Sequence, residues 1–336
     1  MVSICEMCKM SRLRLKVCAL CLLCFFLPRG MRGQCRMRLM TWNLENMFDC
    51  QDDTLHEDEE FLSGGERQWT WGRYWAKVED VSRVVMGVGE DAPPALVALQ
   101  EVENDSVMWD LTMRGSLRAL GYRYVMTDGP DRRGVDVALM YQPLLFQLLG
   151  SESWRVPSVD YGLRPTRDLL HAWGRTLSGD TLHVVVCHLP SRLGGRMGKR
   201  NRRLAAETLR NKTDSLLSAI PSCKLVVMGD FNAPPSDAVF KKVLRQVPLV
   251  DLVPQKRRPV EGTYRFQGNW SWIDHILVSP RLFALQRTSP ALHLYAAPWM
   301  RRMMTDGTWY PRRTYMGTHY AGGVSDHLPL YFDLVW

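Results

Sequence analysis

The sequence predicts an α/β protein with two sheets covered by helices. Three observations carry this expectation. Short, Val-rich apolar runs are spread over the whole length of the 336 residues. Between two of them, residues 201–217 read as a helix, which makes a strand–helix–strand crossover and therefore parallel pairing. No linker composition separates the chain into halves, so strands and helices fall in one domain, 35–336.

In chain order, residues 38–42 form a short apolar strand that ends in Asn43. Residues 49–66 hold eight carboxylates without the glycine and ligand spacing of a calcium loop, so a solvated loop is expected. Tyr74, Val78, Val81 and Val85 recur at the spacing of one helix face. Pro93 and Pro94 interrupt the chain before a strand at 95–100. Further strands are expected at 134–141, 181–188, 224–229, 271–279 and 328–335. In the first of these, Asp136 shares a face with Ala138 and Met140, opposite Val135, Val137 and Leu139, which makes it a buried or half-buried carboxylate.

At 46% hydrophobic and 23% charged, the composition is that of an ordinary globular protein. With 25 Gly and 19 Pro it is neither collagen-like nor of low complexity, and it shows no fixed-period repeat. No apolar run reaches the ~18 residues of a membrane span, which excludes a polytopic membrane protein. Residues 1–35, with six bases and one acid, account for +5 of the net charge of +8, so the nearly balanced body says little about partners. A basic stretch at 12–16, eleven apolar or Cys residues at 17–27, then Pro28, Arg29 and Gly30 form the pattern of an export signal. A leader over 1–34 is expected, with its cleavage site poorly marked. Export to the periplasm, cell surface or medium follows, with no span left after removal and a monomer expected. An overcalled start on a cytosolic protein is the alternative. The C-x-x-C spacings inside the leader (Cys5/Cys8, Cys18/Cys21, Cys21/Cys24) read as apolar filler rather than a zinc site.

The apolar runs end in groups that carry chemistry: Trp42-Asn43, Leu99-Gln100-Glu101, Cys187-His188, Gly229-Asp230-Phe231-Asn232, Ile273-Asp274-His275 and Ser325-Asp326-His327. Ligand and catalytic groups gather at strand carboxyl ends in α/β proteins. This set of amides, carboxylates and histidines, with no Ser or Cys nucleophile context, suits a hard cation such as Mg²⁺ and hydrolysis of a phosphate ester. If His188 and Asp230 share the carboxyl edge of parallel strands, Cys223 lies some ~20 Å from Cys187, at the opposite edge. No disulfide joins them at that separation.

In this order the motifs resemble the endonuclease/exonuclease/phosphatase superfamily, over residues 38–336. The run His188-Leu189-Pro190-Ser191-Arg192, with Arg313-Thr314-Tyr315 ahead of Gly322-Gly323-Val324-Ser325-Asp326-His327, resembles a secreted bacterial branch. The resemblance implies a deoxyribonuclease-like, four-layer α/β/β/α sandwich of two mixed sheets with outer helices. It implies a divalent-metal-dependent phosphoesterase using Mg²⁺, with Mn²⁺ or Ca²⁺ as alternatives, on a phosphodiester or phosphomonoester. Glu101 resembles the main metal carboxylate, with Asn43 and Asp326 as ligands or close behind. Asp230 is similar to the residue that orients or deprotonates the attacking water, and Asn232 to a donor toward a phosphate oxygen. His327 resembles a histidine held by the carboxylate of Asp274, and His188 one that donates to the phosphoryl group. Whether Asp230 or His327 is the base stays open. So does the choice between nuclease, with nucleic acid as partner, and lipid or small-molecule phosphatase. A non-catalytic binding protein of the same fold is the other class, and the filled motif positions speak against it.

Several residues carry a blander reading beside the functional one. Singly, Asn43 is a strand terminator and Asp326 a turn residue; five such positions in order are not coincidence. His275 falls on the strand face opposite Asp274 and is read as structural. Arg192, Arg196, Lys199, Arg200, Arg202 and Arg203 either guide a phosphate-rich substrate or form the exposed start of the crossover helix. Trp69, Trp71 and Trp75 are expected to pack rather than stack on bases. Arg167 either reaches the phosphate or pairs with Asp168. For Asp136, Arg132 or Arg133 is one candidate partner; His188 is preferred, because a carboxylate would keep its imidazole protonated.

Overall fold

In a computed structural model, which describes residues 36–90, 92–253, 261–286, 290–305 and 307–335, twelve strands form two six-stranded mixed sheets. The expected leader over 1–34 lies outside the described residues. In chain order the strands are β1 (Arg36–Met47), β2 (Leu96–Val102), β3 (Arg123–Met126), β4 (Asp136–Tyr141), β5 (Phe146–Trp154), β6 (Leu169–Thr176), β7 (Thr181–His188), β8 (Lys224–Asp230), β9 (Val250–Asp251), β10 (Asp274–Val278), β11 (His293–Leu294) and β12 (Leu330–Val335). One sheet runs β11-β12-β1-β2-β4-β3, the other β5-β6-β7-β8-β10-β9. β1 pairs parallel with β2, and β7 with β8; the neighbouring pairs are antiparallel. The helices are α1 (Trp71–Gly89), α2 (Asp105–Trp109), α3 (Gly195–Ala219), α4 (Ala238–Lys242) and α5 (Pro280–Leu285).

Side-chain alternation explains the layers. In β1, Met40, Trp42 and Leu44 face one way, into a core shared with Tyr74, Val78, Val81 and Val85 of α1. Met37 and Leu39 face the other way, into a core shared with Leu182, Val184, Val226, Met228 and Ile276 of the second sheet. The far side of that sheet, through Val185, Cys187, Leu225 and Val227, buries Ala205, Ala206 and Leu209 of α3. The result is helix, sheet, sheet, helix, with both sheets buried on both faces, as the Val-rich runs require.

The predicted strands and helices recur with shifted bounds. α3 begins two turns before the expected 201, because the Gly195–Arg203 stretch has no apolar stripe to announce it. The 49–66 loop is not simply solvated: Asp49 and Asp58 are buried, accepting backbone N–H groups of Gln51 and Asp53. Cys187 pairs opposite Gly229 while Lys224, just after Cys223, pairs opposite Leu182, so the two free thiols sit at opposite ends of the strand pair. Among the described residues, no helix is long and apolar enough to cross a membrane.

Candidate active site

The same alternation that builds the inter-sheet core delivers the polar groups. Continuing the inward parity of β7, β8 and β10 to their ends brings His188, Asp230 and Asp274 to the inter-sheet face, and in β1 it brings Asn43. Glu101 has the wrong parity, since Val97 and Leu99 face α1. A register shift between Gln100 and Val102, with Glu101 at φ +60°, re-aims it. A second shift, between Asn43 and Met47, includes Glu45 and Asn46 at positive φ. Irregularities of this kind concentrate where a side chain must be redirected.

Asn43 Nδ2 lies 3.1 Å from Asp230 Oδ2 and 3.3 Å from Glu101 Oε1. The other Glu101 oxygen accepts from the Asn46 backbone N–H at 2.8 Å. Asn232, also at positive φ, donates its backbone N–H to Asp230 at 2.7 Å and its amide to Asp230 at 3.1 Å and Leu189 O at 2.9 Å. His327 Nδ1 is 2.8 Å from Asp274 Oδ2, and its Nε2 is 3.9 Å from Asp230. The loop that bears His327 is tied to β1, because Ser325 Oγ donates to Asn43 O and accepts from the His327 N–H. Glu101, Asp230, Asn232 and His327 line a cleft of about 840 Å³ together with His188 and Asp326.

Charge is distributed unevenly. Burial, then the neighbouring Asp274, push Asp230 up to about 7, with His327 opposing. For His327 burial disfavours the cation, but Asp274, Asp230 and Asp326 outweigh it and hold the pKa well above its ordinary value. The Asp274–His327 pair therefore carries an imidazolium. Glu45 is pushed to about 7 by burial and Asp326, and Lys77 down to about 8 by burial. Lys77 donates to Glu45 O and to Thr314 Oγ1, and Arg313 bridges Asp326 and Glu45.

Residues 38–335 match the Endonuclease/Exonuclease/phosphatase family. The chain belongs to that family. Solved structures with the same fold include the human nocturnin catalytic domain with bound sulfate (20% identity, TM-score 0.54, 89% of this chain and 93% of that one). D. rerio TDP2 complexed with single-strand DNA product is similar at 16% identity and a TM-score of 0.55, covering 89% and 98%. The Bacteroides thetaiotaomicron mannosyl-6-phosphatase Bt3783 is similar at 17% and 0.54, covering 89% and 100%. No curated protein matches the sequence.

Within the family fold, one sequence expectation fails. Asp136 does not pair with His188. Its carboxylate accepts from Thr127 Oγ1 at 2.5 Å and from the Gly129 N–H at 3.1 Å. β4 begins at Asp136, so the side chain caps the adjoining 127–129 backbone instead of reaching across the sheets. Arg132 and Arg133 are not its partners either; Arg132 meets Glu57 and Arg133 meets Asp131. The His188 ring instead meets Arg167, and its Nε2 lies 3.5 Å from Asp230 and 3.6 Å from Glu101. Arg167 donates from Nε to His188 O at 3.0 Å, and its Nη2 lies 3.0 Å from His188 Nε2. Burial, then Arg167, hold the His188 pKa well below its ordinary value, so the ring is neutral. Arg167 pairs with Asp131 at 2.8 Å rather than Asp168, which meets Arg155 at 3.2 Å.

The donor set fits a hard divalent cation. The Glu101 and Asp230 carboxylates flank the Asn43 amide, at 3.3 and 3.1 Å, beside the Asp274–His327 pair. Such a concentration of carboxylate oxygens suits a hard cation rather than a soft one. Asp326, the third expected ligand, lines the same cleft with Arg313 on its Oδ2. Sequence reasoning missed Lys77, although it sits on the apolar stripe three residues after Tyr74 and four before Val81. It also missed the Arg167–Asp131 pair, which no local pattern announces.

Proposed function

We propose that this chain is a divalent-metal-dependent phosphoesterase that cleaves phosphodiesters, with nucleic acid as its substrate class. The observation that carries the reading is Asp230: a buried carboxylate with a raised pKa, fixed by Asn43 and Asn232 and flanked by a charged His327–Asp274 pair. A raised carboxylate pKa beside an imidazolium is the arrangement general acid–base chemistry uses near neutral pH.

In this reading Asp230 orients the attacking water and accepts its proton. The imidazolium of His327, Asn232 and the Arg167-backed His188 side stabilise charge on the phosphoryl oxygens. Glu101 and Asn43, with Asp326, would hold the cation, which supplies Lewis acidity when bound. A degenerate binding protein would be expected to lack one of these groups, and none is missing. The leader pattern at 1–34 supports export.

The test is a metal-dependence panel on purified protein with single- and double-stranded DNA, RNA, sphingomyelin, phosphoinositides, sugar phosphates and a chromogenic diester. Turnover of nucleic acid and diester that is abolished by EDTA and restored by Mg²⁺ is the expected result. Turnover confined to monoesters would replace the diesterase reading with a phosphatase one.

A further inference from the structure

The basic run that follows His188 acquires a definite place in the fold. The first nine residues of α3, Gly195 to Arg203, carry five cations and no acid. A helix N-terminus already bears partial positive charge, so cations there repel both it and one another. Arg196, Lys199, Arg200, Arg202 and Arg203 line a groove of about 400 Å³ between α3 and α4, which adds Lys242. Its two acids are outnumbered, and one of them, Asp237, also acts on Arg202. Glu207 pairs with Arg203 at 2.8 Å, and Asp237 accepts from the Val239 N–H at 2.9 Å. Among the described residues, Arg196, Lys199, Arg200 and Lys242 take part in no ion pair.

The groove is a built feature, because one of its cations is buried. Arg202 is 4% exposed; its Nη1 donates to Pro190 O at 3.3 Å, and its Nε has no partner. An unsatisfied N–H on a buried guanidinium is costly in the absence of an anion. The groove also adjoins the catalytic cleft. Pro190, which Arg202 contacts, lines that cleft together with Gly198 and Asn201 on the opposite side of the same helical turns. Arg196, Lys199 or Arg200, and Arg203 recur every three to four residues, about one helical turn or ~5.4 Å apart. That interval is of the same order as consecutive phosphates along a strand.

We propose that this groove is an exosite for the phosphodiester backbone of a nucleic-acid strand whose scissile phosphate lies at Asp230. The inference rests on the phosphodiesterase reading above and extends it: the chain holds its polymer substrate by flanking phosphates, independent of base sequence. A concave floor with a buried arginine fits a strand and does not fit a flat bilayer. The groove contains no aromatic side chain, so recognition is through charge rather than stacking.

The decisive comparison uses the full chain and the triple variant Arg196→Gln, Lys199→Gln, Arg200→Gln. Binding of a fluorescein-labelled single-stranded DNA 20-mer is followed by anisotropy in EDTA over a salt series. Hydrolysis of bis-p-nitrophenyl phosphate with Mg²⁺ is measured in parallel. Loss of three phosphate contacts should weaken binding about tenfold or more and flatten the slope of log Kd against log salt by roughly 2. Diester turnover should stay unchanged, since none of the three residues touches the cleft chemistry. Unchanged affinity and slope would overturn the exosite. So would a variant that still binds DNA but no longer binds phosphatidylserine vesicles that the parent binds. If the parent fails to hydrolyse the diester while the two proteins differ in DNA binding as expected, the catalytic reading falls and the exosite stands.

Discussion

Replacing Asp274 by Asn tests how the site holds its charge. The two carboxylate oxygens are buried; Oδ2 lies 2.8 Å from His327 Nδ1, and Oδ1 has no partner. At an effective dielectric near 20, unit charges at that separation attract by roughly 6 kcal/mol. Desolvation of both groups takes back part of this, and breaking a buried pair costs about 3–5 kcal/mol in practice. If that stabilisation is realised on the imidazolium in the transition state, turnover falls by roughly 10²- to 10⁴-fold, at 1.36 kcal/mol per decade. Asn keeps the shape and a hydrogen-bonding oxygen, so the fold should persist. The assay is chromogenic diester hydrolysis at saturating substrate, with the melting temperature as control. The same substitution made on His327→Ala should add little, because the partner it serves is gone. An Asn variant within about threefold of the parent, or a full further loss on the His327→Ala background, would refute the account.

Other expectations follow from separate features. Glu101→Gln and Asp230→Asn should each abolish turnover while leaving the urea midpoint near that of the parent; retention of parental rates in either would remove that residue from the chemistry. Gly229 sits at φ +150°, and a Cβ there would collide with the backbone O of Cys187, so Gly229→Ala should destabilise by several kcal/mol, read by denaturant unfolding. Burial, then His171, push His183 down to about 4. Its folded pKa therefore lies below the unfolded value of 6.5, and the unfolded chain binds the extra proton between pH 6.5 and 4. Stability should fall on acidification through that window by up to ~1.4 kcal/mol per pH unit for this group. His183→Gln should flatten the slope, and identical slopes in urea titrations at pH 7, 6 and 5 would contradict this.

What the sequence revealed follows a physical divide. Strands buried on both faces, such as β7 and β8, announce themselves as unbroken Val runs, and their bounds were legible to within a residue. β5 and β6 were not, because Gln147, Glu152 and Arg175 interrupt the apolar pattern with exposed side chains. The meeting of the candidate site residues at strand ends was readable, because chain direction and parity fix them together. Polar partners drawn from loops were not. The 35 residues between Asp131 and Arg167 contain two strands that belong to different sheets, and nothing in either neighbourhood signals that the pair will meet. Asp136 shows the opposite error. Its burial was inferred correctly, but a buried carboxylate can be satisfied by a hydroxyl and a backbone N–H as well as by a cation.

Asn43 and Glu101 come from one sheet, while His188, Asp230 and Asp274 come from the other. Neither half holds the proposed reactive centre alone, so the apolar layer between them works as a gauge block that sets the gap in which the proposed chemistry occurs. Activity then becomes a ruler for the interior. A cavity opened at Ile276 or Met228, two residues along the strand from Asp274 and Asp230, should detune the rate while the chain still reads as folded by circular dichroism. Pressure or mild denaturant should likewise silence the centre before the helices on the two outer faces loosen.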